Sequence, residues 1–144
     1  MNGVWPRRCF QICDGRGVPL AVRLTGANRN DSQEALALVG AILPLQGERG
    51  RPRRRPDCVV GDRGYDAEAI RSGLQTRGIL PLLATGRTKH GSGLGTWRWV
   101  VERTCAWLNQ FRRRRVRYDR RADIHEAFLS LGCALICWQS LRRT

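Results

Sequence analysis

Cys58-Val59-Val60-Gly61-Asp62-Arg63-Gly64-Tyr65-Asp66 decides the fold class. A short apolar run ends abruptly in glycine and aspartate. Asp66 to Arg77 (DAEAIRSGLQTR) then reads as an N-capped helix, weakened by Gly73 and ended by Gly78. Ile79 to Ala84 (ILPLLA) follows as a second strand. Strand, helix and strand in succession make the unit of an α/β sheet. A buried strand that delivers an aspartate at its C-terminal end puts it where open α/β sheets hold ligands. Asp62 is therefore the first candidate site residue.

Upstream, Phe10-Gln11-Ile12 and Val18 to Leu24 (VPLAVRL) read as two short strands. Asp14-Gly15-Arg16-Gly17 between them is a hairpin turn signal, because glycine tolerates the positive φ that such turns need. Pro19 belongs at an edge or at a strand's beginning. Asp31-Ser32-Gln33-Glu34 offers a capping box for a helix running to about Leu43. Gln46 to Pro56 (QGERGRPRRRP) reads as an exposed basic loop that cannot pack.

Downstream, Thr85 to Gly95 is a glycine-rich basic loop, and Trp97 to Phe111 carries apolar residues at helical spacing. Trp97, Val101, Leu108 and Phe111 form the expected stripe, widened by Val100 and Trp107; the tryptophans read as core packing. Glu102 interrupts the stripe and is the only acidic residue between Glu68 and Asp119. Arg98 lies one turn before it, so the two can share a face. Asp123 caps a last helix, Ile124 to about Leu141. The order is β-β-α-β-α-β-α-α, which suggests a mixed sheet flanked by helices in one domain, with residues 1–8 an irregular leader and 9–144 the folded part.

Arginine dominates the composition. The 144 residues carry 26 Lys+Arg against 12 Asp+Glu, formally +14, and Lys89 is the sole lysine. A planar guanidinium suits phosphate better than a point charge does, so a nucleic-acid partner is the natural inference. The run Arg112-Arg113-Arg114-Arg115 with Arg117 is too dense for a buried helix face and reads as a contact to DNA backbone. The six cysteines form no Cys-x2-Cys pair, and His90 and His125 have no zinc spacing. They read as free thiols of a reducing cytosol. No signal-peptide core is present, and the apolar run Ala127 to Trp138 is too short to span a bilayer, so no membrane is expected. Two acids in basic surroundings, Asp62 and Glu102, make sense if a divalent cation lies between them and a phosphate. Ordinary capping and ion pairing is the competing account.

Gly61-Asp62-Arg63-Gly64-Tyr65-Asp66, then Arg98-Trp99-Val100-Val101-Glu102-Arg103-Thr104, resembles the DDE transposases of bacterial insertion sequences, and within them the IS5-like group of the IS4-type superfamily. The likeness extends upstream to Asp14-Gly15-Arg16-Gly17-Val18-Pro19 and Thr25-Gly26-Ala27-Asn28, and downstream through Arg117-Tyr118-Asp119-Arg120-Arg121. The resemblance implies an RNase H-like catalytic core with an Asp-Asp-Glu site holding Mg²⁺ or Mn²⁺. Asp62 would be its second aspartate and Glu102 its glutamate. Arg98 matches the arginine of the family's Tyr-x2-Arg-x3-Glu-x6-Lys signature. Gly95 and Asn109 stand where that signature has tyrosine and lysine.

The family's first aspartate belongs to a strand just before the hairpin, and Met1 to Arg8 contains no acid. Asp14 sits in a turn and Asp31 at a helix cap, roles that already explain them. The expectation is thus a truncated α/β core lacking its first catalytic strand. DNA transposition would be its function, with Asp62 and Glu102 as catalytic metal ligands. Arg98, Arg103, Arg112 to Arg115 and Arg117 would contact DNA. Expected partners are the element's ends, the target, an upstream-frame segment and further copies of the chain, in the bacterial cytoplasm. The alternative is an inactive remnant or a basic nucleic-acid-binding module.

Overall fold

The computed structural model describes residues 7–26, 31–46, 49–85, 95–111 and 122–142. The elements follow the expected order: strands β1 (Arg7–Cys13) and β2 (Pro19–Gly26), helix α1 (Asp31–Gly40), strand β3 (Cys58–Gly61), a 3-10 turn (Arg63–Tyr65), helix α2 (Glu68–Thr76), strand β4 (Leu80–Leu83), and helices α3 (Gly95–Gln110) and α4 (Ala122–Leu141). The chain divides into two compact units, residues 1–27 with 99–144 and residues 28–98. Where one mixed sheet is expected, the described strands pair as two separate two-stranded sheets, β1 with β2 and β3 with β4.

In the first unit β1 and β2 form an antiparallel hairpin, Cys9 opposite Leu24 and Gln11 opposite Val22, with a bulge between Ile12 and Cys13. Asp14 builds the turn. Its backbone N–H donates to the Val18 carbonyl at 2.9 Å and its carbonyl accepts from Gly17 at 3.0 Å. Its Oδ1 also accepts from the Arg16 and Val18 N–H groups at 2.9 and 2.8 Å. Gly17 adopts φ 84°, the left-handed conformation that glycine reaches without steric cost.

The core of this unit is Leu108 of α3 with Leu129 and Ile136 of α4, packed against Cys9, Val22, Leu24, Trp107 and Cys133. Gly132 lets the two helices approach, since a Cβ there would lie 3.2 Å from the Phe111 ring and 3.3 Å from Leu108. α4 is longer than the apolar run suggests. By length and composition Asp123–Leu141 could cross a membrane. Its Leu129, Gly132 and Ile136 face is buried, whereas Leu131, Leu135, Trp138 and Leu141 are exposed.

The buried phase of α3 differs from the expected one. Val100, Thr104 and Leu108, four residues apart, are the buried positions, whereas Trp97, Trp99 and Val101 are 51%, 52% and 44% exposed. A threonine thus occupies the centre of the buried stripe, and it can do so because its hydroxyl is hydrogen-bonded.

The second unit is a β-α-β crossover with α1 packed on it. β3 and β4 pair in parallel, Cys58 beside Leu80 and Val60 beside Leu82, with α2 as the connection. Leu38, Val39, Ile42, Ile70, Leu74, Ile79 and Leu83 are buried. Gly73 sits inside α2 for a packing reason: a Cβ would fall 2.7 Å from Leu36 of α1. Gly78, at φ 71°, ends the helix as predicted. The Ile79 N–H reaches the Leu74 carbonyl and the Gly78 N–H the Gln75 carbonyl, the paired bonds of a Schellman cap.

Other expectations are revised here. β3 is not buried on both faces: Cys58 is exposed, and Val60, Leu80 and Leu82 are 39%, 58% and 37% exposed. The α2 cap is Ala67, without a side-chain bond, because the Asp66 carboxylate is taken by Arg71. Glu34, expected to close a capping box, is fully buried; the Asp31 side chain lies outside the described set.

Candidate catalytic site

Asp62 lies where the sequence puts it, directly after the last residue of β3. It caps the 3-10 turn: its Oδ1 accepts the Gly64 N–H at 3.0 Å and its carbonyl accepts the Tyr65 N–H at 3.1 Å. The carboxylate is exposed, and that backbone bond is its only hydrogen bond among the described residues. Gly61 just before it packs closely against β4: a Cβ there would come within 2.7 Å of the end of the Leu83 side chain, which would have to shift.

Asp66 has a different fate. Arg71 donates to its Oδ1 from Nε at 3.0 Å and from Nη2 at 2.6 Å, and the same Nη2 reaches the Leu83 carbonyl at 3.1 Å. Both side chains are only 24% exposed. The turn thus holds two aspartates of opposite character. Asp66 is paired with Arg71, which ties the turn to β4, while the Asp62 carboxylate stays exposed.

Glu102 and Arg98 are both exposed on α3, four residues apart. Asp62 belongs to the second compact unit and Glu102 to the first, and each is placed within its own unit. Among the described residues no group of three or more His, Cys, Asp or Glu is arranged to hold a metal ion. In chemical type both carboxylates fit a hard divalent cation, which takes oxygen ligands. Asp14 spends its Oδ1 on two turn bonds. Arg112 to Arg115, Arg117 and His90 lie outside the described residues.

Arg103 occupies a setting that charge alone did not suggest. Its guanidinium lies 4.4 Å from the Trp99 ring centroid and 4.9 Å from that of Trp107. Its Nη2 donates to the Arg16 carbonyl in the hairpin turn, and its Nε is buried without a hydrogen-bond partner. Trp99 and Trp107, read from the sequence as core, are instead half-exposed or half-buried walls of an arginine slot. The i, i+4, i+8 spacing of Trp99, Arg103 and Trp107 was the signal for it.

Beside this slot, burial pushes the Cys13 thiol up from its ordinary pKa, against a lowering side-chain hydrogen bond with Thr104. Cys137 is raised for the same first reason, burial. Its thiol lies 3.7 Å from the Pro19 carbonyl.

Residues 7–137 match the family model described as Transposase DDE domain. The chain belongs to the DDE transposase family. Among its relatives, a Burkholderia cepacia protein named as a putative transposase for insertion sequence element IS402 is 60% identical over 132 residues. That alignment covers 92% of this chain and 63% of the relative, so the chain spans less than two thirds of that relative's length. No solved structure matches it.

Proposed function

We propose that this DDE family chain is the C-terminal portion of the catalytic domain of an insertion-sequence transposase of the IS5-like group. Its reaction would be DNA strand cleavage at the element's ends, followed by joining of the freed 3′-hydroxyl to target DNA. The observation that carries the reading is Asp62: an exposed carboxylate at the end of a parallel strand, inside a family match covering residues 7–137. Glu102, exposed on α3, is the second acid. Mg²⁺ or Mn²⁺ would be held by Asp62 and Glu102. When bound, it supplies charge stabilisation for the oxygens of an in-line phosphoryl displacement.

This chain's own residues bind and orient. Arg98 lies one turn from Glu102 and is the residue for the adjacent phosphate, with Arg112 to Arg115 and Arg117 neutralising DNA backbone. Arg103, stacked between Trp99 and Trp107, would add a further phosphate contact. The third acid would come from an upstream segment in an RNase H-like fold, joined to this chain or supplied by a separate reading frame. That strand would also pair with a strand edge left open among the described residues. The setting is the bacterial cytoplasm, on DNA, with further copies of the chain as partners.

Strand cleavage and joining is the test, run with the bare chain, with a fusion carrying the portion of the IS402 relative that this chain does not span, and with that fusion bearing Asp62→Ala or Glu102→Ala. The bare chain is expected to be inactive, the fusion active, and each substituted fusion inactive. Activity that survives both substitutions contradicts the assignment. An inactive fusion would favour the second reading, a basic nucleic-acid-binding module, which the +14 net charge supports.

A further inference from the structure

Between α1 and β3 the chain runs through Gln46 to Pro56, with five arginines in eleven residues. Composition suggests an exposed loop that cannot pack, yet its base is closed. Leu45 and Arg53 exchange reciprocal backbone hydrogen bonds, Leu45 N–H to the Arg53 carbonyl at 2.8 Å and the reverse at 2.7 Å. Arg53 then reaches Asp57 with Nη1 at 3.0 Å and Nη2 at 3.4 Å. Arg55 donates from Nη1 to the Arg77 carbonyl at 2.8 Å, capping the C-terminus of α2 with positive charge.

Two of the five arginines therefore strap the loop to its own unit. The other three, Arg49, Arg51 and Arg54, are exposed and make no ion pair with another described residue. Three exposed arginines within six residues concentrate positive charge on a segment that the Leu45–Arg53 bridge and the Arg53 and Arg55 bonds hold in place, so part of the ordering cost is met before any ligand arrives. Guanidinium forks match phosphate oxygens, and clustered phosphates are the ligand that repays such clustering.

We infer that Arg49, Arg51 and Arg54 form a second DNA-backbone contact, on the second compact unit and separate in sequence from Arg112 to Arg117. This inference rests on the DNA-acting reading above and adds a surface to it. Its ligand is the phosphate backbone of duplex DNA, and contacts to phosphate oxygens position a protein without reading sequence.

The test is fluorescence anisotropy of a labelled mixed-sequence duplex titrated with the full chain from low to moderate salt. The proteins are the unsubstituted chain, Arg49→Gln/Arg51→Gln/Arg54→Gln, the corresponding triple lysine variant, and Arg142→Gln as a charge control. Each phosphate contact contributes roughly 0.9 to the slope of log affinity against log salt. The triple glutamine variant is expected to lose about 2 to 3 from that slope and on the order of tenfold in affinity at moderate salt. The lysine variant should keep most of the slope, and all variants should keep the melting temperature. Arg55→Gln, which removes a strap, should lower it.

A slope unchanged in the triple glutamine variant overturns the inference alone, as does a loss no larger per charge than that of Arg142→Gln. An unsubstituted chain that shows no salt-dependent binding overturns it together with the DNA-acting reading. Anionic phosphatidylglycerol vesicles form the remaining arm. Vesicle binding abolished by the triple substitution, with the DNA slope intact, would assign the loop to a membrane surface and overturn the DNA contact.

Discussion

The Thr104 hydroxyl donates to the Gly17 carbonyl at 2.7 Å, joining α3 to the hairpin turn across 87 residues of sequence. Thr104 is fully buried, and Gly17 leaves no room there: a Cβ would lie 2.9 Å from Thr104 Oγ1 and 3.0 Å from Arg103 Nη2. Thr104→Val keeps the shape but strands a buried carbonyl, so it should cost about 1–3 kcal/mol. Gly17→Ala adds a collision to a positive φ and should cost more than about 1 kcal/mol. Urea unfolding of both variants measures this; a Gly17→Ala chain as stable as the parent would refute the packing described.

Arg103→Lys should loosen the slot formed with Trp99 and Trp107. The ammonium keeps the charge but cannot stack in the same plane or replace the guanidinium bond to the Arg16 carbonyl. Each ring contact is worth about 0.5–1 kcal/mol where exposed, so a loss near 1 kcal/mol is expected. Red-shifted tryptophan emission should accompany it. Unchanged emission and stability would mean that the rings do not hold the guanidinium.

The element order was legible throughout, and so was the position of Asp62 at a strand end. Gly78 was legible as a helix stop because the left-handed cap it forms needs glycine. The phase of α3 was not. Trp97, Trp99 and Val101 are bulky enough to suggest a core stripe, yet the buried line runs through Val100, Thr104 and Leu108. A threonine reads as polar until its partner, the distant Gly17 carbonyl, is known. Asp66 misled for a related reason. A helix-start aspartate reads as a cap, and its actual partner, Arg71, is as near in sequence but competes through a stronger, charged bond. The strapped basic loop was hidden because arginines that hold a loop and arginines left exposed look alike in sequence.

Asp66 and Arg71 should matter to the shape of the turn that carries Asp62. Arg71→Met removes the bonds to Asp66 and to the Leu83 carbonyl together, leaving a partly buried carboxylate without its cation. A loss of about 1–3 kcal/mol is expected. Exchange of the backbone amides of Gly64, Tyr65 and Ala84 should quicken with it. Amide protection that stays as in the parent would show that the pair is not what holds the turn.

Thiol reactivity should divide the cysteines by burial. Cys58 is exposed on β3 and should be alkylated first, while Cys13 and Cys137 should lag. Their pKa values are raised by burial, so the folded state prefers the protonated thiols. The stability this contributes is fully present below the unfolded thiol pKa and is lost as pH rises through the raised folded values. Mass-spectrometric mapping of iodoacetamide adducts over time, at neutral and alkaline pH, checks both statements. Cys13 labelled as fast as Cys58 at neutral pH would contradict them.

The proposed function requires that Asp62 and Glu102 serve one cation. Fe²⁺ loaded in place of Mg²⁺, with ascorbate and hydrogen peroxide, cuts the backbone beside its own ligands and needs no transposition activity. The account predicts scission near both residue 62 and residue 102, suppressed by excess Mg²⁺. Both cuts should disappear in Asp62→Ala and in Glu102→Ala alike. A cut at one position that persists when the other residue is replaced would show two unrelated carboxylates and contradict the account.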